Sequence, residues 1–543
     1  MSLNLDADFL RKRSANFLPL TPLTFLFRSA EVFPDRPAII YEQQRYTWRE
    51  YARRCQMLAS SLKRVGIQRG DVVAILAPNT PPMLEAHFGV PLAGGVLCTI
   101  NVRLDAATTA YILQHSEATV FIVDRQWSAL AKEALALLPI KPLVLDIDDA
   151  YAEGGERIAE QTYEEFLQRG NPEEPLAWPG EEFDAISLNY TSGTTSKPKG
   201  VLYHHRGAYL NALGMVLNHR MDSDSVYLWN LPLFHCNGWC FAWSVAALGA
   251  THVCLRKVLP DQIFSLIETQ GVTHLCGAPT VLTMLVEGAA KSGKKLTRPV
   301  AIMTAGAAPP SAVLKNTEEL GFSVRHVYGS TEMHGVVSIC DWHYEWNDLP
   351  QDDRFRRLAR QGVRTIVSEG LIVADPVTLK PVPRDGKTMG EILFRGNLGM
   401  MGYLKDAAAT EQAFAGGWYH TGDLAVVHED GYFSIQDRLK DIIISGGENI
   451  SSIEIEDVLF KHPAVSFAAV VAMKHDRWGE TPCAFVELKS SIQAPISEEE
   501  LLAFCRKHLA KFKVPTRLVF GLIERTATGK VQKFKLRNQL QKH

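Results

Sequence analysis

The densest run of chemistry-bearing residues is Tyr190-Thr-Ser-Gly-Thr-Thr-Ser-Lys-Pro-Lys-Gly200. Hydroxyls at Thr191, Ser192, Thr194 and Thr195 surround Gly193, and Lys197 and Lys199 follow. Small residues let backbone N–H groups approach a phosphate chain closely, and the hydroxyls and ammonium groups add donors and positive charge. No Gly-Lys-Ser/Thr ending at the Walker spacing is present, so this is a different phosphate-binding pattern. A polar surface turn is the competing reading. Placement directly after a β-branched run at 185–189 favours phosphate.

Other short motifs recur in the same position, at the end of a run that reads as a strand. Ala305-Gly-Ala-Ala-Pro309 follows 300–303, and Tyr328-Gly-Ser-Thr-Glu332 ends 324–328. Trp418-Tyr-His-Thr-Gly-Asp423, Asp437-Arg-Leu-Lys-Asp441, Ser445-Gly-Gly-Glu-Asn449 and Thr526-Ala-Thr-Gly-Lys530 follow in order. In order and over nearly the whole chain, these motifs resemble the adenylate-forming superfamily, which holds acyl-CoA synthetases, adenylation domains and firefly-type luciferases. The resemblance implies ATP, Mg²⁺ and coenzyme A as cofactor and co-substrates. It assigns Gly306, Ala307 and Ala308 to the adenine and Tyr328 to stacking on it, with Gly329 and Ser330 beside the nucleotide. It gives Thr331 to the α-phosphate and Glu332, with Thr194, to Mg²⁺, a hard cation suited to oxygen ligands. His326 is expected at the adenine edge or packed in its strand. Asp423 and Arg438 are expected at the ribose, since a carboxylate can accept from both hydroxyls. Asp437 is the implied hinge. Gly446, Gly447 and Lys440 are implied for the acyl and coenzyme A arm, and Lys530 is implied as the catalytic lysine. Two departures stand out: Ser196 replaces a common glycine, and Glu524 replaces a usual proline.

Leu231-Pro-Leu-Phe-His-Cys-Asn-Gly-Trp-Cys240 bears on the substrate. His235, Cys236 and Cys240 lack a fourth ligand at zinc spacing. In the superfamily His235 lies near the acyl carboxylate. The full stretch resembles ligases for short and medium aliphatic acids, among them 3-methylmercaptopropionate-CoA ligases, in which Trp239 gates the acyl pocket. No Asp or Glu occurs between Leu231 and Ala250, so no carboxylate awaits a substrate ammonium. An uncharged aliphatic acid is expected, aromatic acids staying open. A stand-alone adenylating enzyme that loads a carrier protein in trans is the alternative.

The elements that must position these groups are legible in outline. The runs 71–76, 118–124, 185–189, 273–276, 300–303 and 324–328 alternate with helical patterns such as 261–270, which predicts βαβ units and mainly parallel sheets. The segment 341–360 carries five acids and four arginines and reads as a solvated helical excursion. After about residue 437 the texture changes. Ser451-x-x-Glu454 and Ser497-x-x-Glu500 are capping boxes, strands are expected at 464–473 and 482–488, and Pro515 should stop the second helix. The fold expectation is α/β: a large N-terminal domain of layered α/β sheets (1–437) and a small, mobile α+β C-terminal domain (438–543).

Composition agrees with an enzyme of this class. The 543 residues are 46% apolar and 22% charged, with a net charge of −3, so no basic field invites nucleic acid. The longest apolar run, 88–100, is too short for a bilayer span and contains Pro91. Nine scattered cysteines without a Cys-x-x-Cys pair suit a reducing compartment, and cytoplasm is expected in the absence of sorting signals. A homodimer is a family-level expectation.

Overall fold

A computed structural model describes residues 8–191, 197–307, 309–446, 448–489, 496–525 and 531–540. Two large sheets carry the N-terminal part. In the seven-stranded sheet, Leu143–Ile147, Val120–Asp124, Val72–Leu76, Val96–Thr99 and Ala185–Thr191 run parallel, and Lys199–His204 and Gly402–Tyr403 close one edge antiparallel. In the nine-stranded sheet, Pro37–Tyr41, Thr251–Cys254, Val226–Trp229, His274–Gly277, Val300–Thr304 and Phe322–Ser330 are parallel. The parallel strands are buried on both faces because helices cover each side.

One core joins the two sheets. It contains Ile186, Val201 and Tyr203 of the first sheet and Tyr227, Trp229, Met303 and Val327 of the second. Between them lie Ala208, Ala212 and Met215 of helix His205–His219 and Phe241, Trp243 and Val245 of helix Phe241–Leu248. Helix Pro260–Thr269 shows the amphipathic logic on the outer face. Its Ile263, Phe264 and Ile267 are buried, each contributing about 1.5–3 kcal/mol, and Gly271 beyond its end takes φ +68°.

A four-stranded sheet, Gly370–Ala374, Gly390–Arg395, Tyr419–Val427 and Phe433–Arg438, is wholly antiparallel. Beyond it, Ile443, Ile455, Leu459, Val470, Ala484 and Leu501 belong to a separate core. Its strands Val465–His475 and Gly479–Leu488 form a long hairpin. Both capping boxes form their serine bond, Ser451 Oγ accepting from Glu454 N at 3.2 Å and Ser497 Oγ from Glu500 N at 3.1 Å.

Three expectations need correction. The segment 341–360 is not simply solvated: Trp346 is buried against Trp342 and Tyr432, with the Arg357 and Arg360 guanidiniums over its ring. Arginine stems cover apolar surface while their charge reaches Asp430, so a charge count alone misjudges this face. Helix Glu498–His508 ends well before Pro515, because Leu509 turns extended and packs on the small core. The strands expected at 185–189 and 324–328 run on to Thr191 and Ser330.

Candidate active site

The site gathers where strands of both large sheets end. Thr191 closes strand Ala185–Thr191 and pairs with Lys199, which opens the next, antiparallel strand. The described ends of the hydroxyl-rich motif, Thr191 and Lys199, are thus brought side by side on antiparallel strands. Lys199 Nζ lies 4.6 Å over the Tyr403 ring and 3.9 Å from Asp406. Ser192, Gly193, Thr194 and Thr195 lie outside the described residues, as do Ala308, Gly447 and Lys530.

On the other sheet, Gly306 and Ala307 are exposed just past Val300–Thr304. Gly306 has φ +94°, and nothing stands within 4 Å of where a Cβ would be, so a flat ligand has room against the backbone. Strand Phe322–Ser330 then delivers Tyr328, Gly329 and Ser330, followed by Thr331 and Glu332. Gly329 is obligatory: a Cβ there would fall 1.6 Å from the Gly335 carbonyl oxygen. The Tyr328 hydroxyl donates to Asp423 Oδ2 at 2.7 Å, and Arg438 Nε lies 3.2 Å from Asp423 Oδ1. Asp423 and Arg438 are register partners on adjacent strands, which fixes this triad. Burial, then the Asp423 charge, pushes the Tyr328 phenol well above its ordinary range, so it remains a donor. Glu332 Oε1 accepts from the Tyr403 hydroxyl at 3.1 Å.

His326 does not join them. It is 1% exposed, its ring faces the backbone of Leu358, Ala359 and Arg360, and burial pushes it down to about 4. Val324, two residues before it, packs in the outer core, whereas Tyr328, two residues after it, belongs to the core between the large sheets, so simple alternation does not hold through this stretch.

The acyl stretch reaches the same place by an unusual backbone. Cys236, Asn237, Gly238, Trp239 and Cys240 all have positive φ, between 41° and 65°. This is a left-handed turn, and each non-glycine residue in it carries about 1–2 kcal/mol, less for asparagine. It sets Cys236 Sγ 3.2 Å from Thr331 Oγ1 and 3.8 Å from His235 Nε2. Trp239 is buried, and a Cβ on Gly335 would lie 3.7 Å from the Trp239 Cα. The Trp239 backbone therefore passes beside Gly335, just beyond the segment that carries Thr331 and Glu332. Cys240, Phe241 and Trp243 are fully buried beside it, so the surroundings are apolar and aromatic.

Asn237 pins the turn, and sequence reasoning did not select it. Its Oδ1 accepts from Ser187 Oγ at 2.8 Å and from Asn189 Nδ2, and its backbone N–H donates to Asn189 Oδ1 at 3.1 Å. Its Nδ2 lies 3.5 Å from His87 Nε2, while His87 Nδ1 sits 2.7 Å from the Met83 carbonyl. Ser187 and Asn189 lie on the strand that ends in Thr191. Tyr203, which donates to the Thr331 carbonyl at 2.6 Å, and Tyr403 were also not selected. An Asn-Gly pair signals positive φ, whereas the lone tyrosines carry no local signal.

At the far side, Asp437 is buried between Arg438 N at 2.7 Å and Ser452 N at 2.6 Å. Lys440 is pulled below the ordinary lysine range by burial. Gly446 has φ +59°, and its N–H donates to the Trp478 carbonyl at 2.8 Å. A Cβ on Gly446 would lie 3.0 Å from the Trp478 ring.

Comparison with known proteins matches this layout. The AMP-binding enzyme model matches residues 26–404, and the AMP-binding enzyme C-terminal domain matches 454–530. The acetate/butyrate–CoA ligase AAE7 of Arabidopsis thaliana is 48% identical, covering 98% of this chain and 97% of its own. The trans-cinnamate:CoA ligase of Petunia hybrida is 47% identical over 98% of this chain and 95% of its own. Among solved structures, the o-succinylbenzoate CoA synthetase of Bacillus subtilis with its acyl-adenylate superposes with a TM-score of 0.79. It is 28% identical, over 95% of this chain and 97% of that one. The chain belongs to the AMP-binding enzyme family, in the branch whose members are acid–thiol (CoA) ligases.

Proposed function

We propose that the chain activates an uncharged short- to medium-chain acid, aliphatic or thioether, as its acyl-adenylate and passes the acyl group to coenzyme A. The contact that carries this reading is Cys236 Sγ on Thr331 Oγ1, which joins the acyl turn to the segment assigned to the α-phosphate. Buried Trp239, Phe241 and Trp243, with no carboxylate between Leu231 and Ala250, support an uncharged tail. Each buried CH₂ adds about 0.8 kcal/mol, so pocket depth sets chain length. Relatives are named for the short aliphatic acids acetate and butyrate and for the aromatic acid cinnamate, so aromatic acids belong in the test as well.

A carboxylate is a poor electrophile because oxide is a poor leaving group. Its oxygen attacks the α-phosphorus, pyrophosphate leaves, and the acyl-adenylate then offers AMP as leaving group to the coenzyme A thiol. Charge gathers on the phosphate oxygens, and fixed donors stabilise it. Thr331, Lys199 and Lys530 are assigned that work, Tyr328, Asp423 and Arg438 hold the nucleoside, and His235 borders the carboxylate. Glu332 fits Mg²⁺: among the described residues its Oε1 accepts from the Tyr403 phenol and no Lys or Arg forms a direct ion pair with it. No cluster of three or more metal-ligating side chains exists among the described residues. That suits an ion held through one or two carboxylates and the substrate's own phosphates. Bound there, Mg²⁺ supplies charge neutralisation to the departing pyrophosphate.

We place the domain boundary at 437/438, with Asp437 as the pivot that lets Lys530 and then Gly446–Gly447 face the site. No helix among the described residues is long and apolar enough to cross a membrane. All nine cysteines are buried and none is in a disulfide, which fits a reducing compartment, and cytoplasm is the assignment to test by fractionation, relatives being named peroxisomal. The deciding assay is AMP formation with MgATP across C2–C12 acids, 3-methylmercaptopropionate and benzoate, each with and without coenzyme A. An optimum that requires coenzyme A supports the ligase. Pyrophosphate exchange without thioester points to a carrier protein instead.

A further inference from the structure

Asp437 is joined to more than its own strand. It is 2% exposed, and its Oδ2 accepts from both Ser452 N and Ser452 Oγ at 2.6 Å. Ser452 opens helix Ser452–Phe460, so its N–H is one of the free donors of a helix start, and the helix dipole favours a carboxylate there. On the other side of that hydroxyl stands Lys533, the first residue of helix Lys533–Leu540. Its ammonium donates to Ser452 Oγ and pairs with Glu456 Oε1 at 2.8 Å, one turn along the same helix. Glu456 Oε1 also accepts from Val470 N at 2.7 Å. Both side chains are largely buried, Lys533 at 14% and Glu456 at 16% exposure. One turn beyond Lys533, Arg537 pairs with Asp441 at 2.7 Å. Just before this helix Val531 bridges Arg525, whose guanidinium pairs with Glu487 and lies 4.1 Å over Phe467.

We propose that Lys533 is a positioning residue that ties the stretch of chain carrying Lys530 to the pivot through the hydroxyl of Ser452. The inference rests on the roles given above to Lys530 and Asp437. Asp437 belongs to strand Phe433–Arg438, while Ser452 belongs to the unit that turns about it. Rotation between residues 437 and 438 must stretch the Asp437–Ser452 bonds. The Lys533–Ser452–Glu456 contacts lie within the turning unit and travel with it. One hydroxyl is thus shared by pivot and lysine in one arrangement and held by the lysine alone in another. Lys533 keeps that hydroxyl aimed and sets a cation one hydroxyl away from the pivot carboxylate, favouring the docked arrangement.

The test separates the half-reactions in the full chain. Acid-dependent ATP–pyrophosphate exchange reads adenylation, and single-turnover thioester formation from supplied acyl-adenylate and coenzyme A reads transfer. Lys533→Met removes the contacts inside the turning unit from both arrangements, but only the docked one also loses a cation beside the pivot carboxylate, and that one-sided loss shifts the ratio of the two rates by roughly tenfold. Lys533→Arg restores the ratio. Ser452→Ala gives the same shift, and the double variant adds nothing to it. Equal loss in both half-reactions, an unmoved ratio, or additive effects of the two substitutions overturns the proposal. Should Lys533→Met fail to fold, Ser452→Ala and Lys533→Arg carry the same comparison. Lys530→Ala separates the two readings. If it leaves exchange intact, the catalytic-lysine assignment fails. If it abolishes exchange while Lys533→Met leaves the ratio unmoved, only the tie fails.

Discussion

Replacing Asn237 tests whether the left-handed turn is held by side-chain hydrogen bonds against its own backbone preference. Cys236, Trp239 and Cys240 together carry roughly 3–6 kcal/mol in this conformation. Asn237→Ala removes the acceptor of Ser187 Oγ and Asn189 Nδ2, both in fully buried surroundings. Each orphaned donor costs about 1–3 kcal/mol. Alanine also tolerates φ +41° less well than asparagine, adding about 1 kcal/mol. The expected loss is about 3–7 kcal/mol. Asn237→Gly loses the same hydrogen bonds but not the backbone term, so it should be about 1 kcal/mol less destabilising than Asn237→Ala. That order inverts the usual rank inside a right-handed helix. The assay is urea denaturation of the N-terminal transition by tryptophan fluorescence, with KM for the acid measured alongside. KM should rise in both variants, because His235 and Trp239 flank the released residue. Alanine equal to or better than glycine, or a loss under about 1 kcal/mol, would refute the reasoning.

Other outcomes follow from the same geometry. Burial pushes His87, His204 and His326 down to about 4, and His205 and His252 down to about 3, so folding holds them neutral. The unfolded chain binds more protons below about pH 6.5, so stability is complete above that pH and falls by about 1.4 kcal/mol per histidine per unit below it. Urea midpoints from pH 8 to pH 5 should fall steeply below 6.5, and a flat profile would contradict the burial. Lys530→Ala should lower adenylation by on the order of 10²–10³ while sparing thioester formation from supplied acyl-AMP, as single-turnover assays of each step would show. Asp423→Asn weakens the Arg438 pair and the Tyr328 acceptor, so KM for ATP should rise about tenfold or more with KM for the acid little changed. Gly329→Ala forces a Cβ into the Gly335 carbonyl, and thermal melting should show a loss above about 3 kcal/mol.

The parallel sheets were legible because β-branched runs and glycine-marked turns alternate along the chain. The site motifs were legible for a related reason: small and hydroxylated residues at strand ends serve a ligand better than a core. What stayed hidden depends on contacts between distant residues. Tyr203 and Tyr403 touch Thr331 and Glu332 across more than 70 positions. His326 resembled a ligand by its nearness to Tyr328, and period-two alternation would put both on one face; only its packing against the backbone of 358–360 sets it apart. The acids and arginines of 341–360 read as solvated, since nothing in a charge count shows that Trp346 sits beneath them. The handedness of the turn at 236–240 was half visible, because Asn237-Gly238 is a positive-φ pair, but Cys236 and Trp239 are not residues that favour it.

That mismatch between residue type and conformation is itself informative. Strained φ values persist where the surroundings over-determine them, and they gather at working sites. Here the surroundings are the Asn237 bonds to strand Ala185–Thr191 and the close approach of the Trp239 backbone to Gly335. The first reaches the strand that leads into the phosphate motif, and the second lies just beyond the segment carrying Thr331 and Glu332. One turn is therefore held from two sheets at once. A right-handed turn of the same length would rotate Cys236 and Trp239 in the opposite sense about the chain. It could not present both to Thr331 and Gly335 from this starting point. The strain is the consequence of joining one short segment both to the strand that ends in Thr191 and to the segment that carries Thr331.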